Sequence, residues 1–349
     1  MVTASGGESP PVPGEANWHR QLTTLEGWRQ FTAETPDVPE LLFAPARGSL
    51  TDDERSHYEE RRLDYHTRLG VVATSTLRHV VNTGRRLALL NRHAVSARRG
   101  LIVSGAAGTG KTTAITQFGK THETIDHRRH PGGDRIPVVY VTVPPAATPR
   151  MLAVEFARFL GIPIMARANI TDVIEAVCGV MTDTRTTAVC VDEIHNLKLA
   201  TRNGAEVSDT LKYFSERIPA TFVYAGINVE REGLFSGTRG QQIAARFTLI
   251  PAAPFPYAAE WQGLVATLEG ALRLREHPAG TLTGLDRYLH QRTGGMIGSL
   301  SHLIRGAAIE AILGGSEKIT RKLLDAVDLD HAAQARPVSS PRAPARKTA

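Results

Sequence analysis

Only two cysteines occur in 349 residues, Cys178 and Cys190, too few for a disulfide framework. One falls on the apolar face of a predicted helix and the other inside an apolar strand, so both read as buried thiols of a reduced cytoplasm. No apolar run approaches the ~20 residues that span a bilayer, and the N-terminus, rich in Gly, Pro and Glu, carries no hydrophobic leader segment. The expected location is cytoplasmic, with no membrane partner. Metal-ligand spacing is missing as well. His122, His127 and His130 crowd beside Arg128 and Arg129, yet no cysteine or carboxylate stands at a recognised interval, so a solvated basic loop is the better reading than a zinc site. No helix-turn-helix signature or zinc module offers base-specific contacts to DNA. The chain does have 42% hydrophobic residues, ample for one large or two smaller domains, and a formal charge of +6. That excess permits an anionic partner without requiring one.

Against these absences one segment stands out. Gly105, Ala106, Ala107, Gly108, Thr109, Gly110, Lys111 and Thr112 fill every fixed place of the Gly-x-x-x-x-Gly-Lys-[Ser/Thr] phosphate loop. Glycines let consecutive N–H groups converge on an anion, and the following helix adds the positive end of its dipole. Lys111 is expected to reach the β- and γ-phosphates of ATP, and Thr112 to place its hydroxyl on Mg²⁺. The context agrees: Leu101 to Val103 reads as a buried strand ending at the loop, and Thr113, the last of the expected nucleotide-binding residues, begins a helical run to Lys120.

About eighty residues later Thr187 to Glu193 forms an apolar strand ending in two acids, the pattern of a Walker B strand. Asp192 is expected to hold the water shell of Mg²⁺ and Glu193 to orient and activate the attacking water. Acids after a strand also serve as helix caps; pairing with the phosphate loop favours the catalytic reading.

The remaining chain organises around these motifs. Residues 1–48 read as a flexible arm with one amphipathic stretch, Trp18, Leu22, Leu25 and Trp28, which either folds on a partner or packs on the chain's own body. Residues 49–97 carry two predicted helices, the first capped at Thr51 with Asp52, Asp53 and Glu54 in its first turn. Strands at Pro137–Val143, Thr221–Ala225 and Arg246–Ile250 alternate with helices across residues 98–253, which predicts an α/β fold with a three-layered parallel sheet. The extra strand and helices between the two nucleotide motifs imply that their strands are not sheet neighbours. Residues 198–205 read as a polar loop before a helix with Val207, Leu211, Phe214 and Ile218 inward. From Pro254 no strand pattern remains, so residues 254–331 are expected to form a helical lid. Residues 332–349, with four basic residues and no acid, read as a disordered basic tail.

An α/β core with this strand count followed by a helical lid looks like an AAA+ ATPase. The run Val191 to Leu197, the polar loop, the helix holding Leu211 to Phe214, then Phe222 to Gly226 and Ala245 to Phe247 is similar in order and spacing to the TniB group. These are AAA+ regulators of DNA transposition related to TnsC and MuB, and the looser motifs are shared with replication-initiator relatives. The resemblance covers about residues 50–330. It implies an ATPase that binds double-stranded DNA independently of sequence, forms a homo-oligomeric ring or filament and acts with a transposase. Position by position it implies Asn228 as the polar sensor that helps place the water, a turn asparagine being the alternative. Arg246 matches the arginine inserted by a neighbouring subunit, with Arg239 as runner-up. Many AAA+ lids present an arginine near the start of the last long helix; Met296 and Ser299 stand there in this chain, and Arg305 sits farther along. Lys198, Arg202 and Lys212, with Arg217, are candidates to line a DNA channel, a solvated helix face being the alternative. A signalling or initiator-like NTPase acting through protein partners is the competing reading.

Overall fold

Parallel strands buried on both faces must be apolar along their whole length, and four short runs meet that demand: Gly100–Ser104 (β1), Val138–Thr142 (β2), Ala188–Asp192 (β3) and Thr221–Gly226 (β4). A fifth strand, Phe247–Pro251 (β5), is partly exposed and closes one edge. The strand order is β2-β3-β4-β1-β5, and every pairing is parallel. Strand β4 therefore separates the strand that feeds the phosphate loop from the strand that carries the acids, as the sequence implies. The structure, a computed structural model, describes residues 21–165, 167–197, 202–230 and 245–329. The basic tail and the arm's first 20 residues lie outside them.

The helices are, in chain order, α1 Leu25–Ala33, α2 Ala44–Gly48, α3 Asp52–Arg68, α4 Ser75–Asn91, α5 Lys111–Arg129, α6 Pro149–Phe159, α7 Ile170–Asp183, α8 Arg202–Arg217, α9 Ala259–Gly270, α10 Asp286–Thr293, α11 Ile297–Leu313 and α12 Arg321–Ala326. Their starts are chemically marked. Thr51 accepts from the Glu54 N–H at 3.3 Å while the Glu54 carboxylate accepts from the Thr51 N–H at 2.8 Å, a reciprocal capping box. Thr74, Thr148, Asn169 and Thr320 cap α4, α6, α7 and α12 in the same sense.

Three readings of the sequence are corrected. The arm expected to be flexible through residue 48 is docked at least from α1: Trp28 is fully buried, stacks on Tyr140 at 5.6 Å between centroids and donates its indole N–H to Glu123. Room for the indole exists because α5 has Gly119 beneath it, where a Cβ would lie 2.6 Å from Trp28 Cη2. The polar loop expected to run to residue 205 is shorter, since α8 begins at Arg202. The histidine-rich stretch is the end of α5, not a loop. His122 turns inward, lies 2.8 Å from Thr187 Oγ1, and burial pushes its pKa down to about 4; it packs as a neutral ring.

Two apolar clusters organise the molecule. One joins the sheet to α1, α4 to α8 and Trp28; the other is built from α9 to α12 around Trp261, Leu300, Leu303 and Ile304. The two helices that precede β1 part company here. Helix α4 packs on α5 and the sheet, whereas α3 packs on α11 of the lid, and Leu69, at the end of α3, belongs to the lid cluster. The chain therefore crosses between the two bodies at residues 69–74, directly over the phosphate loop. No helix among the described residues is long and apolar enough to cross a membrane.

Candidate nucleotide site

Strand β1 ends at Ser104, and the loop Gly105–Gly110 must pass close to β5. A Cβ on Gly105 would sit 1.9 Å from the Ala252 carbonyl oxygen, so no side chain fits there. Gly110 then takes φ of +84° as the N-cap of α5, a conformation open to glycine at little strain. The result aims the first N–H groups of a 19-residue helix into the loop's concave side, an anion site by construction.

Side chains complete it. Lys111 is buried and its Nζ donates to the Ala106 carbonyl at 2.7 Å, where Thr109 Oγ1 also donates at 2.8 Å. Burial lowers the Lys111 pKa, opposed by the nearby Asp192 and Glu193 carboxylates. From the neighbouring helix turn Thr112 Oγ1 donates to Asp192 Oδ2 at 2.7 Å, so the two residues assigned to Mg²⁺ touch although 80 residues separate them. A hydroxyl and a carboxylate side by side suit a hard cation that takes the rest of its shell from phosphate and water. Tyr140, which sequence reasoning missed, fixes that carboxylate by donating to Oδ2 at 3.0 Å. Burial, with the Asp192 charge beside it, pushes the phenol far up, so it remains a donor. The Glu193 N–H donates to Asp192 Oδ1 at 2.8 Å. Glu193 has φ of +57°, and its side chain is 41% exposed, enough to meet a substrate water.

These groups open into a cavity of 480 Å³ whose walls the motifs did not announce. The crossing segment contributes Arg68 to Val72, Thr74 and Leu77, and the lid contributes Ile297, Gly298, Ser301 and Arg305. Nothing in the local sequence of residues 69–74 marks them as a wall of this cavity; their place there follows from linking α3 on the lid to α4 on the core. The lid also touches the loop directly, the Gly298 N–H donating to the Gly108 carbonyl at 2.9 Å. Among the described residues no arginine stands on that first turn of α11, in agreement with Met296 and Ser299 there. Arg305 lines the cavity farther along and donates to the Thr67 carbonyl. A larger cavity of 600 Å³ lies at the opposite end of the strands, beside Arg85, His122 and Thr221, and contains none of the nucleotide motifs.

The remaining candidates divide. Asn228 lies just past β4 with φ of +42°, and its N–H donates to the Gly105 carbonyl at 3.3 Å, which puts the expected sensor at the same end of the strands as the loop. Arg246 precedes β5, opposite the start of β1, and lies 3.4 Å from Glu216. A strand's length, on the order of 15 Å, separates it from its own phosphate loop. Lys198 and Arg239 lie outside the described residues, Arg202 is described only as the first residue of α8, and Lys212 is half-buried on the same helix. The structure therefore brings together the phosphate loop, Asp192, Glu193 and the backbone of Asn228; of the basic candidates on α8, only the side chains of Lys212 and of Arg217, which pairs with Glu175 at 2.7 Å, lie among the described residues.

Comparison with known proteins bears on the family and the fold. The family model described as bacterial TniB protein matches residues 76–257, just over half of the chain. No curated protein matches the chain. Among solved structures, the Aeropyrum pernix ORC1 protein in complex with DNA is 16% identical with a TM-score of 0.57, over 78% of this chain and 67% of that one. The ADP form of the A. pernix ORC2 protein is 17% identical with a TM-score of 0.57, over 76% and 71%. Drosophila ORC bound to DNA is 15% identical with a TM-score of 0.52, over 86% and 72%. At such identities the likeness shows the fold, that of the P-loop AAA+ proteins.

Proposed function

The chain belongs to the bacterial TniB family, and on that premise we propose that it is an ATPase that assembles on double-stranded DNA as a ring or filament and presents that DNA to a transposase. The observation that carries the ATPase reading is the contact of Thr112 with Asp192 beside Glu193. Lys111 and the loop N–H groups bind the phosphates of ATP. Thr112 and Asp192 would hold Mg²⁺, which would supply positive charge toward the phosphate oxygens. Glu193 takes the proton of a water whose oxygen bonds to the γ-phosphorus, the bond to the bridging oxygen breaks, and ADP and phosphate leave. Asn228 helps place that water. The family's fold supports nucleotide-gated assembly, in which hydrolysis acts as a timer that releases a DNA-bound state.

The position of Arg246 supports a role toward a neighbour's γ-phosphate, since in its own subunit it stands at the end of the strands away from the loop. Arg246→Ala protein is expected to bind ATP nearly normally and hydrolyse it poorly. Mixing it with Lys111→Ala protein should restore activity, because mixed interfaces place an intact loop against an intact arginine. Mixed assembly without rescue would reject Arg246 and leave Arg239 as the candidate.

DNA binding is the test of the wider proposal. Without a base-reading module, the protein should hold DNA through its phosphates, so affinity should be independent of sequence and fall with salt. It should also require ATP or a non-hydrolysable analogue, since only an assembled oligomer aligns many weak sites on one duplex. Replacing Lys198, Arg202 and Lys212 together by Ala should abolish retention. Replaced singly, each residue that neutralises a phosphate should make the logarithmic salt dependence shallower by ~0.9. Anisotropy with analogue, ADP and no nucleotide decides it: equal affinity in all three states rejects nucleotide gating, and no binding in any of them favours an NTPase that acts through protein partners.

A further inference from the structure

The turn that carries Glu193 is pinned from both sides. After Glu193 the chain makes a 3-10 turn, Ile194–Asn196. On one flank Asn196 Nδ2 donates to the Val143 carbonyl at 2.8 Å, just beyond β2. On the other, the Ile227 N–H, just beyond β4, donates to His195 Nδ1 at 3.2 Å. The approach is close because β4 ends in Gly226: a Cβ there would lie 2.8 Å from Ile194 Cγ2 and 3.1 Å from the His195 nitrogen.

That geometry dictates the histidine's tautomer. A backbone N–H only donates, so Nδ1 must present its lone pair, and a neutral ring then keeps its hydrogen on Nε2. His195 Nε2 lies 3.2 Å from Glu193 Oε2. Next along the chain from Ile227, the Asn228 N–H donates to the Gly105 carbonyl of the phosphate loop at 3.3 Å. Two hydrogen bonds, from the Asn228 N–H to the loop and from the Ile227 N–H to the imidazole, and a 3.2 Å approach of Nε2 to Oε2 therefore connect the loop to the carboxylate. No residue of this connection after Gly105 is part of a recognised phosphate motif except Glu193 and the expected sensor Asn228.

We propose, resting on the assignment of Glu193 as the base of the ATPase, that His195 is its positioning residue, tying the direction of the carboxylate to the Asn228 turn and hence to the loop. His195 does not touch substrate in this role; it holds the half-exposed carboxylate in line for the water. Such a residue governs turnover more than affinity, because a displacement near 1 Å costs about a hundredfold in rate while every phosphate ligand stays in place. The linkage also fits the asymmetry of the ring's surroundings, since Nδ1 is committed to backbone and only Nε2 faces the site.

The test uses the full chain as wild type, His195→Ala, His195→Gln, Glu193→Gln and the His195→Ala, Glu193→Gln double variant. ATP affinity is read with a fluorescent analogue, and hydrolysis by steady-state and single-turnover rates. His195→Ala is expected to lower kcat about 10- to 100-fold while affinity changes less than about threefold. His195→Gln, whose amide can donate to the carboxylate, should recover about tenfold of that loss. The double variant should be no slower than Glu193→Gln, since nothing remains to be positioned. Turnover of His195→Ala within twofold of wild type, equal loss in Ala and Gln variants, parallel loss of affinity, or further loss in the double variant would each overturn the inference. A wild-type protein without ATPase activity would overturn the function on which it rests.

Discussion

Glu193→Gln protein is expected to bind ATP with wild-type affinity and to hydrolyse it about 10²- to 10⁴-fold more slowly, the range for removal of a positioned general base. The amide keeps the side chain's shape, its partners on the 3-10 turn and the N–H bond to Asp192, so only the ability to accept the water's proton is lost. Lys111→Ala should give the opposite pattern. Its ammonium lies at the mouth of the helix N-terminus, and two charge-assisted hydrogen bonds at ~1.5–3 kcal/mol each correspond to a fall in ATP affinity of about a hundredfold or more. Equilibrium binding and steady-state hydrolysis on the two proteins therefore separate the roles. Retained turnover in Glu193→Gln would remove that residue from the mechanism, and unchanged ATP affinity in Lys111→Ala would remove the lysine from the phosphate site.

The second large effect concerns the seam between α3 and the lid. Arg62 is fully buried and donates to both oxygens of Glu317, at 2.9 and 2.5 Å, to Glu59 at 2.5 Å and to the Arg273 carbonyl at 2.8 Å. Arg275 adds its N–H at 3.1 Å and its guanidinium to the same carboxylate. Glu317→Ala leaves the buried Arg62 and the half-buried Arg275 with Glu59 as their remaining carboxylate, a change that costs about 3–5 kcal/mol; a shift of that size in chemical denaturation is the readout. Replacing both Arg62 and Glu317 by apolar residues of similar volume should recover much of the loss, because the pair's own desolvation is then avoided. Loss under about 1 kcal/mol for Glu317→Ala would mean that the network is solvated in solution.

The same seam sets the response to acid. Burial raises the Glu317 pKa, but hydrogen bonds and charge from Arg62 and Arg275 outweigh it and hold the carboxyl below its usual range. His66 beside it is lowered mainly by burial, with its ring nitrogens bonded to the Arg62 carbonyl and the Arg273 N–H. Both folded-state values lie below the unfolded ones, so both contributions are complete at neutral pH and are lost as pH falls. Stability should decline first below roughly pH 6.5 as His66 is forced to charge, then more steeply below roughly pH 4.3 as Glu317 loses its ion pairs.

Much of the molecule is legible locally. Strands β1 to β4 announce themselves because a parallel strand covered on both faces is apolar throughout, and the phosphate loop because close approach or positive φ calls for glycine at fixed places, Gly105, Gly108 and Gly110, ahead of Lys111 and Thr112. That β1 and β3 are not neighbours is expected from the sequence, but the strand that parts them is β4, which follows both in sequence, while β2 lies at the edge. Helix α3 is legible as a helix from its Thr51 cap, but its packing is not. Its run from Asp52 to Arg68 is so polar that a solvated surface helix is the natural reading, yet Arg62 and His66 are fully buried. The carboxylate that makes this tolerable comes from 255 residues away, and no local pattern encodes it. Trp28 on Tyr140, the cavity wall at residues 69–74 and the link from Ile227 through His195 to Glu193 share that character.

Backbone conformation, apolar burial and phosphate-loop chemistry depend on neighbours in sequence, through steric limits and periodicity, and so can be read from the chain one segment at a time. Which helix joins the lid, which carboxylate neutralises which guanidinium and which nitrogen of His195 bears the proton depend on groups that meet only when β2, β3 and β4 align their ends and the lid closes on α3. Electrostatic and hydrogen-bond partners act over a few ångströms of space regardless of the residues between them.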